Sequence, residues 1–308
     1  TLGLDLTAAG NILVQADSKA TIMAVIVNSA VTTSIAPLGG SDTVTVAGTM
    51  ALNRVSATTE ANLGNTSGSV QSGGTLSVTS DQIAGIFADV QSASVAVGAG
   101  LADDNSAISV GVTIARNFIR AENNAILAAG NSLYAGIDDA NKRDITVRAD
   151  RTGEIDATVT ASAIGVAAGT GAAVAVSAAG SLAVNTITGG TLARLASSSV
   201  LRGNNLTVSV QDLAAITALV RATSASVAVS LSENSTAVAA GLAIAVNEIG
   251  WDSVAPGTAT YASSDLPGAV GTLTAGQSVR VDEGPLVGRV YEYLGPTETN
   301  PDLALQNF

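Results

Sequence analysis

A single pattern recurs four times along the chain and constrains the fold more than any other feature. Ile12-Leu-Val-Gln-Ala-Asp17, Leu76-Ser-Val-Thr-Ser-Asp81, Ile145-Thr-Val-Arg-Ala-Asp150 and Leu206-Thr-Val-Ser-Val-Gln-Asp212 share one alternation, the last with one extra residue. A second anchor follows each copy: Leu52-Asn53-Arg-Val55, Arg116-Asn117-Phe-Ile119, Val184-Asn185-Thr-Ile187 and Val246-Asn247-Glu-Ile249. The Asp-to-Asn separations are 36, 36, 35 and 35, and successive Asn anchors lie 64, 68 and 62 apart. Two independent anchors that keep step across four copies mark one structural unit, repeated over residues 1–250.

Within each unit the period is two. In the third copy Ile155, Ala157, Val159, Ala161 and Ala163 share one face, and Asp156, Thr158, Thr160 and Ser162 the other. This is a strand with one apolar and one polar side. Further on, Ala173, Ala175, Ser177, Ala179, Ser181, Ala183 and Asn185 form a small-residue face opposite Val174, Val176, Ala178, Leu182 and Val184. The second and fourth copies repeat this, so both faces of the later strand are expected to be buried. Gly-, Asn- and Asp-rich turns fall mid-unit, at Leu101–Asn105, Gly169–Gly171 and Ser232–Asn234, and before each restart, as tight turns require. No useful stretch has the 3.6-residue period of a helix.

Residues 251–308 differ. They hold five of the six prolines and five of the eight aromatics. Ser278–Asp282 and Gly288–Tyr293, joined through Glu283-Gly-Pro285, read as a hairpin. This part is expected to be a small β module or insert.

The expected fold class is all-β. A unit of flat-faced strands cannot close its own core and must stack on its neighbours. The favoured arrangement is an elongated parallel β-solenoid, or parallel β-helix. Each unit would wind about three coils of roughly 22 residues, and the Asn anchors would ladder from side chain to backbone. The alternative is a stack of long β-hairpins, each folded at its mid-unit turn.

Composition removes much chemistry. The chain has 13 basic and 25 acidic residues, a formal charge of −12, and neither Cys nor His. Nucleophile systems that need His or Cys, thiolate or imidazole zinc sites, and disulfides are impossible. The acidic balance argues against a nucleic-acid partner. Polar residues interrupt every apolar run, so no transmembrane helix is expected. With no initiating Met and no basic leader, the chain reads as a processed piece or an excerpt.

Asp17, Asp81, Asp150 and Asp212 read as strand-end or corner residues that accept backbone bonds. Asn53, Asn117, Asn185 and Asn247 read as ladder or turn residues. Asp103-Asp104-Asn105 and Asp138-Asp139 with Asn141 are acidic turns, read first as solvated loops and second as weak calcium sites. A calcium ion needs six or more gathered oxygens, and one Asp per unit does not supply them. No cofactor is expected, with calcium kept as the one candidate ion. A glycosidase pair at Asp103 and Asp104 would lack nearby aromatic platforms. Trp251, Tyr261, Tyr291 and Tyr293 are the one aromatic concentration, read as anchors of the small core or as a glycan-contacting patch.

The restart and Asn pattern over residues 1–250 resembles the repeats of very large bacterial surface proteins, the filamentous-haemagglutinin-like and autotransporter-type adhesins. Val290–Pro296 looks like a short β module interspersed in such chains. The resemblance implies an exported, adhesive or matrix-forming protein at the bacterial surface, with a structural rather than enzymatic role. Its expected partners are further copies of itself and surface glycans. Two alternatives stand beside it. One is a polysaccharide-binding or -cleaving β-helix. The other is an outer-membrane β-barrel, which should carry aromatic girdles that are absent before Trp251.

Overall fold

The computed structural model describes residues 5–65, 68–101, 104–250, 260–262, 271–280, 290–293, 297–299 and 303. Residues 1–250 and 251–308 form two separate compact units. The described residues contain no α-helix.

In the first unit each repeat is one coil made of two very long strands. The first strands are β2 (Ile12–Ala36), β5 (Leu76–Gly100), β7 (Ile145–Gly169) and β10 (Leu206–Ser230). The chain turns, and the second strands follow: β3 (Ser41–Asn65), β6 (Asn105–Ala135), β8 (Ala173–Thr188) continued by β9 (Thr191–Arg202), and β11 (Ser235–Ile249). Two short strands, β1 (Leu6–Ala8) and β4 (Val70–Ser72), pair in parallel at the restart end.

Each first strand pairs in parallel with the first strand of the next coil, so β2, β5, β7 and β10 form one sheet. The second strands form the other sheet, also in parallel: β3 and β8 flank β6, β11 follows β8, and β9 pairs the far half of β6. The two strands of a coil therefore lie in different sheets and face each other. The expectation of three coils per unit is corrected. One repeat is one coil, bent at its mid-unit turn as a hairpin would be, yet hydrogen-bonded only to the coils above and below. A strand of 25 residues is about 80 Å long at about 3.3 Å per residue, whereas neighbouring strands are only about 4.8 Å apart. The stack is accordingly longer along its strands than along its coil axis.

Register is unbroken along the first-strand sheet, from Ile12 opposite Leu76 to Ser230 opposite Gly169. The second strands begin level with one another, at Ser41, Asn105, Ala173 and Ser235. Differences in repeat length are taken up in the bends and in the far half of the second-strand sheet, where the β6–β9 pairing shifts register between Ala129 and Ser132 and again between Leu133 and Tyr134. The restart bends occupy 73–75, 136–144 and 203–205, and the mid-unit bends 37–40, 170–172 and 231–234, with Leu101 and Asp104 at the remaining one. Gly136 and Gly189 adopt φ of 103° and 105°, a left-handed conformation that side chains resist.

The core changes character along the strands. Near the restart end it is aliphatic: Leu76, Val78, Ile145 and Val147 pack on Leu127 and Leu133. In the middle Ile86, Val90, Ile155 and Val159 meet Ile119 and Ile187. Toward the mid-unit bend it shrinks to Ala96, Ala107, Ala167, Ala173 and Ala175. There the two sheets approach so closely that a Cβ on Gly111 would lie 2.6 Å from the Ser162 carbonyl oxygen, and one on Gly98 would lie 2.7 Å from that of Ser106. This close approach is what the small-residue face permits.

The aliphatic face of the second strands is not buried, contrary to the sequence expectation. Val46, Met50, Leu52, Val112, Leu242 and Val246 are exposed on the outer side of their sheet. Each sheet has one covered face, and here the covered face is the small one.

The second unit contains β12 (Tyr261–Ala262), β13 (Thr272–Leu273), β14 (Ser278–Arg280), β15 (Val290–Glu292) and β16 (Glu298–Thr299). The expected hairpin is present as antiparallel pairing of β14 with β15. Its Glu283-Gly-Pro285 connection lies outside the described residues. Leu273, Val279 and Leu303 form a small core, with Tyr261 and Tyr293 packed against it.

Candidate functional site

The repeat anchors are the first candidates, because the in-register stack brings each set into a column. Asn53 donates from Nδ2 to Asn117 Oδ1 at 2.8 Å, Asn117 to Asn185 at 2.7 Å, and Asn185 to Asn247 at 2.8 Å. The run is a ladder of side-chain amides on the inner face, not the side-chain-to-backbone ladder expected. Its direction is uniform, so its terminal groups are the Asn53 Oδ1 acceptor and the Asn247 Nδ2 donor.

The Asp anchors sit elsewhere than expected. Asp17, Asp81 and Asp150 are opposite one another in the register, within the long strands rather than at a corner. Their side chains lie on the outer face. Gln15 Nε2 bonds Asp17 at 2.9 Å, and Arg148 Nε bonds Asp150 Oδ2 at 2.6 Å. That contact, with a smaller contribution from the Asp81 charge, raises the pKa of Arg148 above its usual value. An amide and a cation thus flank a column of like charges.

Asp212 is not the fourth member of this column. The register sets Gln211 opposite Asp150 and Asp212 opposite Arg151, so the extra residue is no bulge. A shift of one residue moves a side chain to the other face. Asp212 therefore points inward, where its carboxylate meets the Arg151 guanidinium at 2.7 and 2.9 Å. Arg151 is only 5% exposed and also donates to the carbonyls of Ala121 and Thr188. Sequence reading missed this pair, although its signal was the displacement of Asp212 itself. It also missed Asn123, whose buried Nδ2 donates to the carbonyls of Ser80 and Asp150.

Nearer the mid-unit bend, hydroxyls join the two sheets. Ser92 and Thr113 share a bond of 2.6 Å, Ser94 Oγ donates to the Thr45 carbonyl at 3.0 Å, and Ser109 Oγ donates to that of Ser94 at 2.8 Å. Ser177 bonds both Ser224 and Ser226. Where these hydroxyls are buried, as at Ser94 and Ser109, leaving such a group unpaired would cost about 1–3 kcal/mol.

The acidic turns are occupied by local bonds. Asp138 Oδ1 accepts from the backbone N–H groups of Ala140 and Asn141 and from Asn141 Nδ2. The Asn141 bonds hold its pKa below the usual carboxylate value. Asp144, at the same restart bend, is lowered by Asn204 and Asn205. Asp104 accepts from the backbone of Ala172 at 3.0 Å, and Asp139 is exposed. Asp103 lies outside the described residues. Among the described residues no three acidic side chains gather in a way that could hold a metal ion.

Two aromatic candidates are committed to the second unit. Tyr293 donates to Glu298 at 2.9 Å, and its pKa is raised by burial and by that bond. Tyr261 packs on the same core. Trp251 and the side chain of Tyr291 lie outside the described residues. A shallow apolar groove crosses the mid-unit bends, with Ile35, Ala99, Ala168 and Val229 in adjacent coils.

The remaining feature is the pair of end coils. Inner-face residues of β5, β6, β7 and β8 are buried, as are most of those of β3, but those of β2, β9 and β10 are half-open, and β11 is exposed along its whole length. No family model, curated protein or solved structure matches the chain.

Proposed function

We propose that this chain is a structural, non-enzymatic segment of an adhesive or matrix-forming protein at the bacterial cell surface. It works by stacking coils and associating with further copies of itself, with surface glycans as secondary partners. The carrying observation is the contrast between the closed inner faces of β5 to β8 and the open ones of the outermost strands, β2, β10 and β11. An edge strand with unpaired N–H and C=O groups is a template for another chain, and apolar surface left uncovered at the same edge adds a driving force of about 25 cal/mol per Å² buried.

The absence of His and Cys and the engagement of the acidic turns in local bonds support a mechanical rather than a catalytic role. Parallel pairing of the long strands favours a fibre over a membrane barrel, whose neighbouring strands are antiparallel. Sedimentation across a dilution series, with electron microscopy of the concentrated sample, tests the reading. Reversible, concentration-dependent oligomers that grow into stacks are the expected result. A monomer at every concentration overturns it.

A further inference from the structure

We infer that the two ends of the coil stack are complementary halves of one interface. A second copy of this chain docks its first coil, β2–β3, onto the last coil, β10–β11, in the register already running through the molecule. This rests on the self-assembly reading above and adds to it a polarity, a register and named pairs.

Three observations carry it. First, the opposing edges match in their backbones. β10 and β2 are both 25-residue strands, and β11 runs level with the first part of β3. Docking therefore continues an existing interface rather than creating a new kind.

Second, the amide ladder has a direction. It begins with the Asn53 Oδ1 acceptor and ends with the Asn247 Nδ2 donor. Stacking in register sets the last donor against the first acceptor of the next copy. A two-fold pairing of like ends would reverse strand direction and end the run.

Third, this register sets one pair of opposite charges together and keeps like charges apart at the junction. Asn247 opposite Asn53 places Glu248 beside Arg54, whose other side lies 5.3 Å over the Phe118 ring. It places Thr236 beside Asp42, an outer-face residue that already accepts from Ser106 Oγ of the next coil at 2.6 Å. In the other sheet Gln211 falls beside Asp17. The carboxylate column Asp17–Asp81–Asp150 thus meets an amide at the junction instead of a fourth carboxylate.

The test uses the absence of Cys, because any disulfide then reports a designed contact. Leu52 and Val246 are exposed on the outer face. Their positions become parallel neighbours across the proposed junction, within the 4.4–6.8 Å Cα range of a disulfide. The full chain carrying Leu52→Cys and Val246→Cys is expected to give a covalent ladder of multimers under mild oxidation. Each single-Cys variant, and Val44→Cys with Val246→Cys, is expected to give none. Glu248→Arg should weaken association roughly three- to tenfold, and Glu248→Arg with Arg54→Glu should recover it.

Dimers from either single-Cys variant, or assemblies that never cross-link, overturn this interface while leaving self-assembly intact. Monomers alone, from a protein with unchanged circular dichroism, overturn both.

Discussion

The half of the stack near the restart bends and the half near the mid-unit bends are built from the same strands but are inverted in section. In the first half Ile86 and Ile155 are fully buried, and Asp17, Asp81, Arg148 and Asp150 lie outside. In the second half the inside is Ala, Ser, Thr and Gly, while Met50 and Leu242 are each 62% exposed outside. The first half is held by aliphatic burial at about 25 cal/mol per Å². The second is held by close backbone approach and by hydroxyls bonded across the sheets. Side-chain volume, not hydrophobicity alone, decides which face turns inward where two sheets must come this near.

The largest expected effect breaks the comparison from the aliphatic side. Ile155→Ala should leave a cavity that the flanking coils cannot fill and cost about 2–5 kcal/mol, read as a lowered denaturation midpoint. Gly111→Val attacks the other half in the opposite sense, by adding volume. Its Cβ would meet the Ser162 carbonyl at 2.6 Å, and parting the sheets should cost about 1–3 kcal/mol. Gly153 sharpens the contrast, because a Cβ there meets only the Ile187 side chain at 3.2 Å. Gly153→Ala should therefore cost less than Gly111→Val in the same denaturation series.

The smallest effect concerns acid. The pKa of Asp144 is lowered in the folded chain, so its contribution is present above the ordinary value near 3.8 and is lost as the pH falls through the lowered value. Hydrogen exchange at the Asn205 amide should quicken relative to the strand interiors, after correction for intrinsic rates, as the pH is brought from 5 to 3. Equal change at Ile155 would show that the acid effect is global rather than confined to the bend.

Much of this architecture was readable in advance. The alternation of Ile155 to Ala163 fixed a strand and its two faces, and the Asn spacing fixed which residues stack. The break before Trp251 coincides with the division between the two compact units. Three things were not readable. Alternation shows that two faces differ but not which is covered, so Val174 in the third copy and Leu242 in the fourth read as core, yet both are exposed. The period of a repeat does not say how many coils it winds, because a 25-residue strand and two shorter ones with weak turns share one alternation. Lastly, Asp212 admits two readings, an inserted residue or a switch of face. Only the register of Leu206 to Ser230 against Ile145 to Gly169 separates them.

The bends have a consequence for how such a chain could change. Twenty-five matched positions in each first strand leave no room for a residue gained or lost within them, since one slip would turn every following side chain to the wrong side. At 136–144, by contrast, the loop is already longer than at 73–75 or 203–205, and the β5–β7 ladder that follows it is undisturbed. Sequence drift in length is thereby channelled away from the first strands, to the bends and to the far half of β6 and β9. Residues 251–308 enter directly after β11, at a point where the preceding coils are still travelling toward a restart. A block of new sequence can be spliced in there without renumbering a single rung.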